Sequence, residues 1–142
     1  MELLFKSFLF FGVLSIILFY PKSKDSAYQD KTLEQSIEDG QYVYEDFCSR
    51  CHLPDGNGVS GVYPPLNNSN WLKEKVNESI ASVKYGLQGE IEVNGEIYNN
   101  VMTSMGLSDE EVADVMNYVM NSWDNTQEEM LTPEKVGMIE KP

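Results

Sequence analysis

This chain of 142 residues holds two cysteines and one histidine, and all three fall in one run, Cys48-Ser-Arg-Cys51-His52. Two thiols separated by two residues, with an imidazole directly after the second, form the attachment pattern of c-type haem: each thiol adds across a haem vinyl group and the imidazole ligates iron. A thioether cannot dissociate as a hydrogen bond can, so Cys48 and Cys51 would keep the group attached while His52 reaches the metal. Other uses of the same residues fit less well. A thioredoxin-like dithiol belongs near a βαβ pattern, and none flanks Cys48. A structural zinc site takes about four Cys or His ligands, more than the chain offers. A plain disulfide gives no reason for the adjacent histidine. The expected cofactor is one haem c, covalently bound through Cys48 and Cys51.

Iron held by four ring nitrogens and one histidine keeps one axial position open, and a methionine thioether there raises the reduction potential. Met1, Met130 and Met138 lie outside the stretch expected to form the domain. Met116 and Met120 fall on the apolar face of a helix, where methionine is more often core. Met102 and Met105 remain. With both axial positions filled the iron has no vacancy for substrate, which favours electron transfer over catalysis.

The elements that must position these residues follow from periodicity. Leu33, Ile37, Tyr44 and Phe47 recur at helical spacing from Thr32 to about Ser49, with Gly40 as a tolerated weak point; this helix delivers Cys48. From His52 to Ser69 the chain contains Pro54, Gly56, Gly58, Gly61, Pro64 and Pro65, too many breakers for a regular element. Asn70 to Gly86 reads as a second helix, with Asn70 as cap, Leu72, Val76, Ile80 and Val83 as its stripe and Gly86 at its end. Ile91 and Val93 alternate with acids up to Asn94-Gly95, the signature of a two-residue hairpin turn. Ser108-Asp-Glu-Glu111 is a capping box ahead of a third helix whose apolar face is Val112, Val115, Met116, Val119, Met120 and Trp123. The chain is thus expected to be mainly α, with three main helices around one covalently bound haem and a loop-rich middle.

Four stretches are expected: an N-terminal segment over 1–20, a linker over 21–31, the domain over 32–124 and a polar tail over 125–142. The apolar run after Lys6 is short for a helix that needs about 20 residues to cross a bilayer, which suits a cleaved signal peptide; but no small-residue cleavage site follows it. Counting residues 3–20, with Lys6 reaching back to the interface, gives nearly enough length for an uncleaved membrane anchor. Both readings place the domain outside the cytoplasm, on the periplasmic side. The formal net charge is −13, and the first twenty residues hold one acid and one base, so the acidity belongs to the rest. Such a surface disfavours nucleic acid. It can steer association with a redox partner that has a basic docking patch, or simply keep the domain soluble.

The order of landmarks from Ile37 to Trp123 resembles a class I cytochrome c of the small, exported bacterial monohaem type. Gly40 and Tyr44 match the small and aromatic positions where, in that family, the first helix crosses the last against an aromatic such as Tyr118. Then come Cys48-Ser-Arg-Cys51-His52, Asp55-Gly-Asn-Gly58, Pro64-Pro65-Leu66, Tyr98-Asn-Asn-Val-Met102 and Asn117-Tyr-Val-Met-Asn-Ser-Trp123. The resemblance implies the cytochrome c fold and a role as a one-electron carrier with His/Met axial ligation. It implies that the carbonyl of Pro64 takes the far imidazole hydrogen bond, that Leu66 packs on the haem, and that Met102 is the sixth ligand rather than Met105. Thr103 stands where the family carries proline and Asn100 where it carries glycine, which implies a less stiff ligand loop. Tyr63, Trp71 and Tyr98 are candidates to donate to the haem propionates or to anchor the core. The alternative functions are a peroxidase-like haem protein, and a haem subunit committed to one dehydrogenase or reductase.

Overall fold

In chain order the elements are α1 (Leu33–Phe47), α2 (Ser49–His52), α3 (Asn70–Glu74), α4 (Val76–Tyr85), β1 (Ile91–Val93), β2 (Glu96–Tyr98), α5 (Asp109–Val119) and α6 (Pro133–Gly137). They come from a computed structural model that describes Tyr28 and residues 30–142. The expected signal peptide or anchor over 1–20 and most of the linker lie outside the described residues. Two units are distinguished, Met1–Lys31 and Thr32–Pro142, and all of these elements belong to the second. Among the described residues no helix is long and apolar enough to cross a membrane.

Both long terminal helices start with the same device. Ahead of α1 the Gln35 amide donates to the Thr32 hydroxyl and the Thr32 amide to the Gln35 side chain; ahead of α5 Ser108 and Glu111 do the same. Each box satisfies two of the donors that a helix start leaves orphaned. Ser36, Gly40 and Tyr44 then line one buried face of α1, four residues apart and so stacked on one side. At Gly40 α1 meets α5 backbone to backbone. A Cβ on Gly40 would lie 2.0 Å from the Asp114 carbonyl oxygen and 2.9 Å from Tyr118 Cβ, so only glycine lets the two backbones touch. Beyond the crossing, Tyr44 is 1% exposed, and its ring lies 5.3 Å from that of Tyr118 and 5.4 Å from that of Trp123. Such aromatic contacts contribute about 0.5–1.5 kcal/mol each beyond area burial.

Several boundaries differ from the sequence expectation for local reasons. The first helix breaks at Cys48, and Ser49 to His52 form a separate turn stopped by Leu53 at φ 64°. The second helix is two helices, because Lys75 adopts φ −129°, ψ 50°. Asn70 does not cap it; its side-chain oxygen accepts from the Asn94 amide while the Asn94 side chain accepts from the Asn70 amide, both at 2.9 Å. This exchange ties the start of α3 to the hairpin, whose turn residues Asn94 and Gly95 both have positive φ, as a type I′ turn requires. The register is Ile91 with Tyr98 and Val93 with Glu96. The third helix ends before Trp123, which sits at φ 56° and turns its ring onto Tyr44 and Tyr118. Its indole N–H donates to the Pro54 carbonyl, so the residue braces the loop after His52.

Residues 125–142, expected as a polar tail, pack onto the helices. Asn117 of α5 receives the Leu131 amide at 2.8 Å and donates to the Leu131 carbonyl and to Ser36 Oγ. Val136 on α6 is fully buried. The compact unit accordingly runs past the expected boundary at Asp124 to Pro142.

Candidate functional site

The turn α2 sets the chemistry-bearing residues around one helical circuit. The amides of Cys51 and His52 both donate to the Cys48 carbonyl, at 3.1 and 3.0 Å. Both cysteines are free thiols at intermediate exposure. Burial pushes the Cys48 thiol up to about 11, with the neighbouring Cys51 adding to the rise.

His52 is buried, and its Nδ1 lies 2.9 Å from the Pro64 carbonyl oxygen. A carbonyl can only accept, so Nδ1 carries the proton and Nε2 keeps its lone pair. Burial lowers the pKa of the imidazole, against the opposing effect of the Pro64 bond; the ring therefore stays neutral, the form that ligates metal. The loop from Leu53 to Ser69 is coiled tightly behind it. The Gly58 amide donates to the His52 carbonyl at 3.0 Å, and a Cβ on Gly58, at φ +61°, would strike the Tyr63 and Pro64 carbonyls at 2.3 and 2.7 Å. Leu66 is fixed by its amide to Gly56 and by its carbonyl, which accepts from Asn125.

In front of His52 open two adjoining clefts, with about 660 and 720 Å³ of space free of protein atoms, their mouths included. Cys48, His52, Pro64, Leu87, Ile91 and Met102 line both. The first runs inward past Leu66, Trp71 and Leu72 to Val115, Met116 and Val119 of α5. The second runs outward past Cys51, Tyr63 and Tyr98 to Val62, Val101 and Met105. The six residues expected at the site thus come together on one crevice: Cys48, His52, Pro64 and Met102 on both parts, Leu66 on the inner and Cys51 on the outer. Met105 reaches only the outer part. Of the three candidate propionate donors, Trp71 gives its N–H to the Glu92 carbonyl and Tyr98 its O–H to Glu96; both hydrogens are already engaged. Tyr63 lines the outer cleft.

The segment that carries Met102 is held by a device that no sequence motif announces. Met102 and Leu87 form an isolated antiparallel bridge, amide to carbonyl in both directions at 2.8 and 2.9 Å. Ser104 Oγ donates to the Lys84 carbonyl at 2.9 Å. A bridge between single residues leaves no alternating pattern to read. A second group without a sequence signal is Glu96, which accepts from Ser60 Oγ at 2.5 Å and from Tyr98 at 2.6 Å and so joins the loop before Tyr63 to the hairpin. Its charge sits at an exposed strand position, where an acid usually means only solvation.

The crevice suits a flat, apolar macrocycle bonded at one edge. Its walls are mainly apolar, the side chains of Cys48 and Cys51 stand on it, and a buried imidazole turns its unprotonated nitrogen away from the Pro64 bond. Comparison with known proteins agrees. Residues 37–123 match the family model described as Cytochrome c. Cytochrome c-552 of Thermus thermophilus is 42% identical over 90 residues, covering 60% of this chain and 68% of that protein. A second cytochrome c-552 of the same species, from a named strain, shows the same 42% identity over 60% of its length. The cytochrome subunit of fructose dehydrogenase from Gluconobacter japonicus is 35% identical over 98 residues, 63% of this chain but 19% of that subunit. The match reaches from the face of α1 that meets α5 to the ring of Trp123, and the chain accordingly belongs to the cytochrome c family, whose members transfer electrons on a covalently attached haem c.

Proposed function

We propose that the chain is a one-electron carrier in an exported respiratory or dehydrogenase-linked chain, with His52 and Met102 as the two axial ligands of its iron. Bound haem c supplies a reversible ferrous–ferric couple. The protein's part is to hold that couple in a dry slot and to fill both axial positions, so that neither water nor peroxide competes for the metal. Cys48 and Cys51 would anchor the group. Pro64, through its bond to Nδ1, fixes the imidazole tautomer and orientation and raises its basicity as a ligand. Leu66 supplies an apolar wall.

The observation that carries this reading is that Met102 lines both clefts together with His52 while its backbone is pinned to Leu87. Met105 shares only the outer cleft, and among the described residues no comparable bridge holds it. Replacing Met102 with alanine is expected to abolish the weak ferric iron–thioether absorption band and to lower the midpoint potential. If the band survived in that variant and vanished in Met105→Ala, the assignment would pass to Met105.

A second reading, a haem subunit committed to one oxidoreductase, is supported by the fructose dehydrogenase cytochrome subunit among the relatives. Export to the periplasmic side, either free or anchored by residues 3–20, and docking on a partner's basic surface complete the proposal; the net charge of −13 supports the latter. A catalytic haem protein needs a vacant or labile sixth site. Carbon monoxide or hydrogen peroxide binding readily to the resting protein would turn the reading that way.

A further inference from the structure

The loop from Asn99 to Leu107 contains no helix or strand, so whatever holds Met102 must come from outside it. Asn100 donates to the Val62 carbonyl at 3.2 Å; the contacts around Met102 itself converge on the end of α4. Met102 bridges Leu87, and Ser104 donates to the Lys84 carbonyl. Between them, Gly86 sits at φ +85°, and a Cβ there would lie 2.7 Å from the Met102 carbonyl oxygen and 2.9 Å from the Ser104 nitrogen. The loop therefore lies backbone on backbone against the end of α4.

That end is itself tied down, and by the segment that the sequence presents as a polar tail. Lys84 Nζ donates to the Val136 carbonyl at 3.1 Å and pairs with Asp109 Oδ1 at 2.7 Å. Tyr85 O–H donates to the Ile139 carbonyl at 2.9 Å. The Lys84 side chain is 16% exposed, so its ammonium joins α4, the first turn of α5 and the residue that ends the buried part of α6 in a partly dry setting, where charge-assisted bonds are strongest. The segment has its own hold on the core through Val136 and through the Asn117 clamp on Leu131.

We propose that Lys84 and Tyr85 are positioning residues for the sixth ligand: they lash the end of α4 to residues 131–139, and the lashed end presents the Met102 loop to the iron. The proposal rests on Met102 being that ligand. It assigns the C-terminal segment a part in the redox site, which it never touches through His52 or the thiols. It also supplies a reason why Thr103 can stand where proline would otherwise stiffen the loop: rigidity comes from a tether rather than from the loop's own backbone.

The test uses the full-length ferric holoprotein and imidazole as competitor for the sixth position. Lys84→Leu, which loses both the bond to Val136 and the ion pair with Asp109, is expected to bind imidazole about tenfold more tightly than wild type, and Tyr85→Phe, which loses one neutral bond, about fivefold. The iron–thioether band should weaken in parallel, and Lys84→Arg should restore both readouts. Thr32→Ala, which weakens the far end of α1, serves as the control for general loss of stability. Wild-type imidazole affinity in both Lys84→Leu and Tyr85→Phe would overturn the proposal, as would an equal rise in Thr32→Ala. Met102→Ala separates the tether from the ligand assignment. A band lost there but unmoved in the Lys84 and Tyr85 variants defeats the tether alone, whereas a band intact there defeats the ligand assignment and the tether with it.

Discussion

Where α1 crosses α5, backbone lies on backbone at Gly40 and a cluster of Tyr44, Tyr118 and Trp123 closes over the approach; the loop that carries Met102 has no element of its own and is held by a two-bond bridge, the side chains of Ser104 and Asn100 and the close approach at Gly86. The first stands behind the histidine side of the crevice, and the second carries its methionine side. The histidine side is anchored to the best-packed part of the molecule, because α2 follows α1 directly and the loop behind His52 is braced by Trp123. The methionine side is held by a few polar contacts and one close backbone approach at Gly86, with no helix or strand of its own. Close-packed interiors respond to a change of a single methyl group, whereas tethered loops open locally at a fraction of the global cost. The contrast predicts that disruption of the crossing registers in global stability and disruption of the tether in ligand exchange at the iron.

The largest effect is expected from Gly40→Ala. The added methyl would meet the Asp114 carbonyl oxygen at 2.0 Å, a backbone atom that cannot swing aside, so the cost should exceed the ~1–3 kcal/mol of ordinary overpacking. Urea unfolding should show a collapse of the midpoint, together with weakened retention of the helix pair. A variant with wild-type stability would mean that the two backbones can separate freely, and the contrast between the two walls would lose its rigid half.

Asn117→Ala comes next. It removes three hydrogen bonds, two to Leu131 and one to Ser36, from a residue that is fully buried. About 3 kcal/mol of stability should go with them. Because Asn117 also clamps the segment that holds Lys84 and Tyr85, this variant should both unfold more easily and bind imidazole more tightly. Ser104→Ala, by contrast, removes an exposed bond to the Lys84 carbonyl and a longer one accepted from the Gly106 amide, together worth about 1 kcal/mol. Its effect should be confined to ligand exchange, with the global unfolding midpoint unmoved. Equal shifts of both readouts in the two variants would erase the distinction between the walls.

What can be read from the chain alone divides along the same line. The histidine side is written in local code: Cys48, Cys51 and His52 are adjacent, and Gly40 and Tyr44 stand one helical repeat apart. The family resemblance adds Pro64 and Leu66. The methionine side depends on pairs far apart in sequence, Leu87 with Met102 and Lys84 with Val136, and such pairs leave no periodic trace. The packed C-terminal segment escapes a reading by composition although its start is marked. Thr132 followed by Pro133 is a cap and a first-turn proline, but the polar residues after Asp124 outweigh a signal two residues long. The Thr32-Leu-Glu-Gln35 box is equally visible. Trp123 reads as the last residue of a helical stripe because its spacing fits one; its positive φ answers to the ring cluster, not to local preference.

The smallest effect belongs to the clasp at the mouth of the outer cleft. Ser60 and Tyr98 both donate to the Glu96 carboxylate, and the Ser60 bond, followed by that of Tyr98, holds its pKa below the usual glutamate value. Burial, reinforced by Glu96, pushes the Tyr98 phenol up to about 12, so the donor keeps its proton throughout the range in question. A carboxyl whose folded pKa lies below its unfolded value stabilises the fold fully above the unfolded value of 4.5 and loses that contribution as pH falls through the lowered one. The difference in melting temperature between wild type and Glu96→Gln should therefore be small and constant near neutrality, then shrink once the pH drops below 4.5. A difference that persisted unchanged into acid would show that the carboxylate's charge is not what the two hydroxyls hold. Because the clasp bears on the outer cleft rather than on the Leu87 bridge, the iron–thioether band of Glu96→Gln should match that of wild type at neutral pH. A weakened band would mean that the hairpin, too, belongs to the tether of Met102.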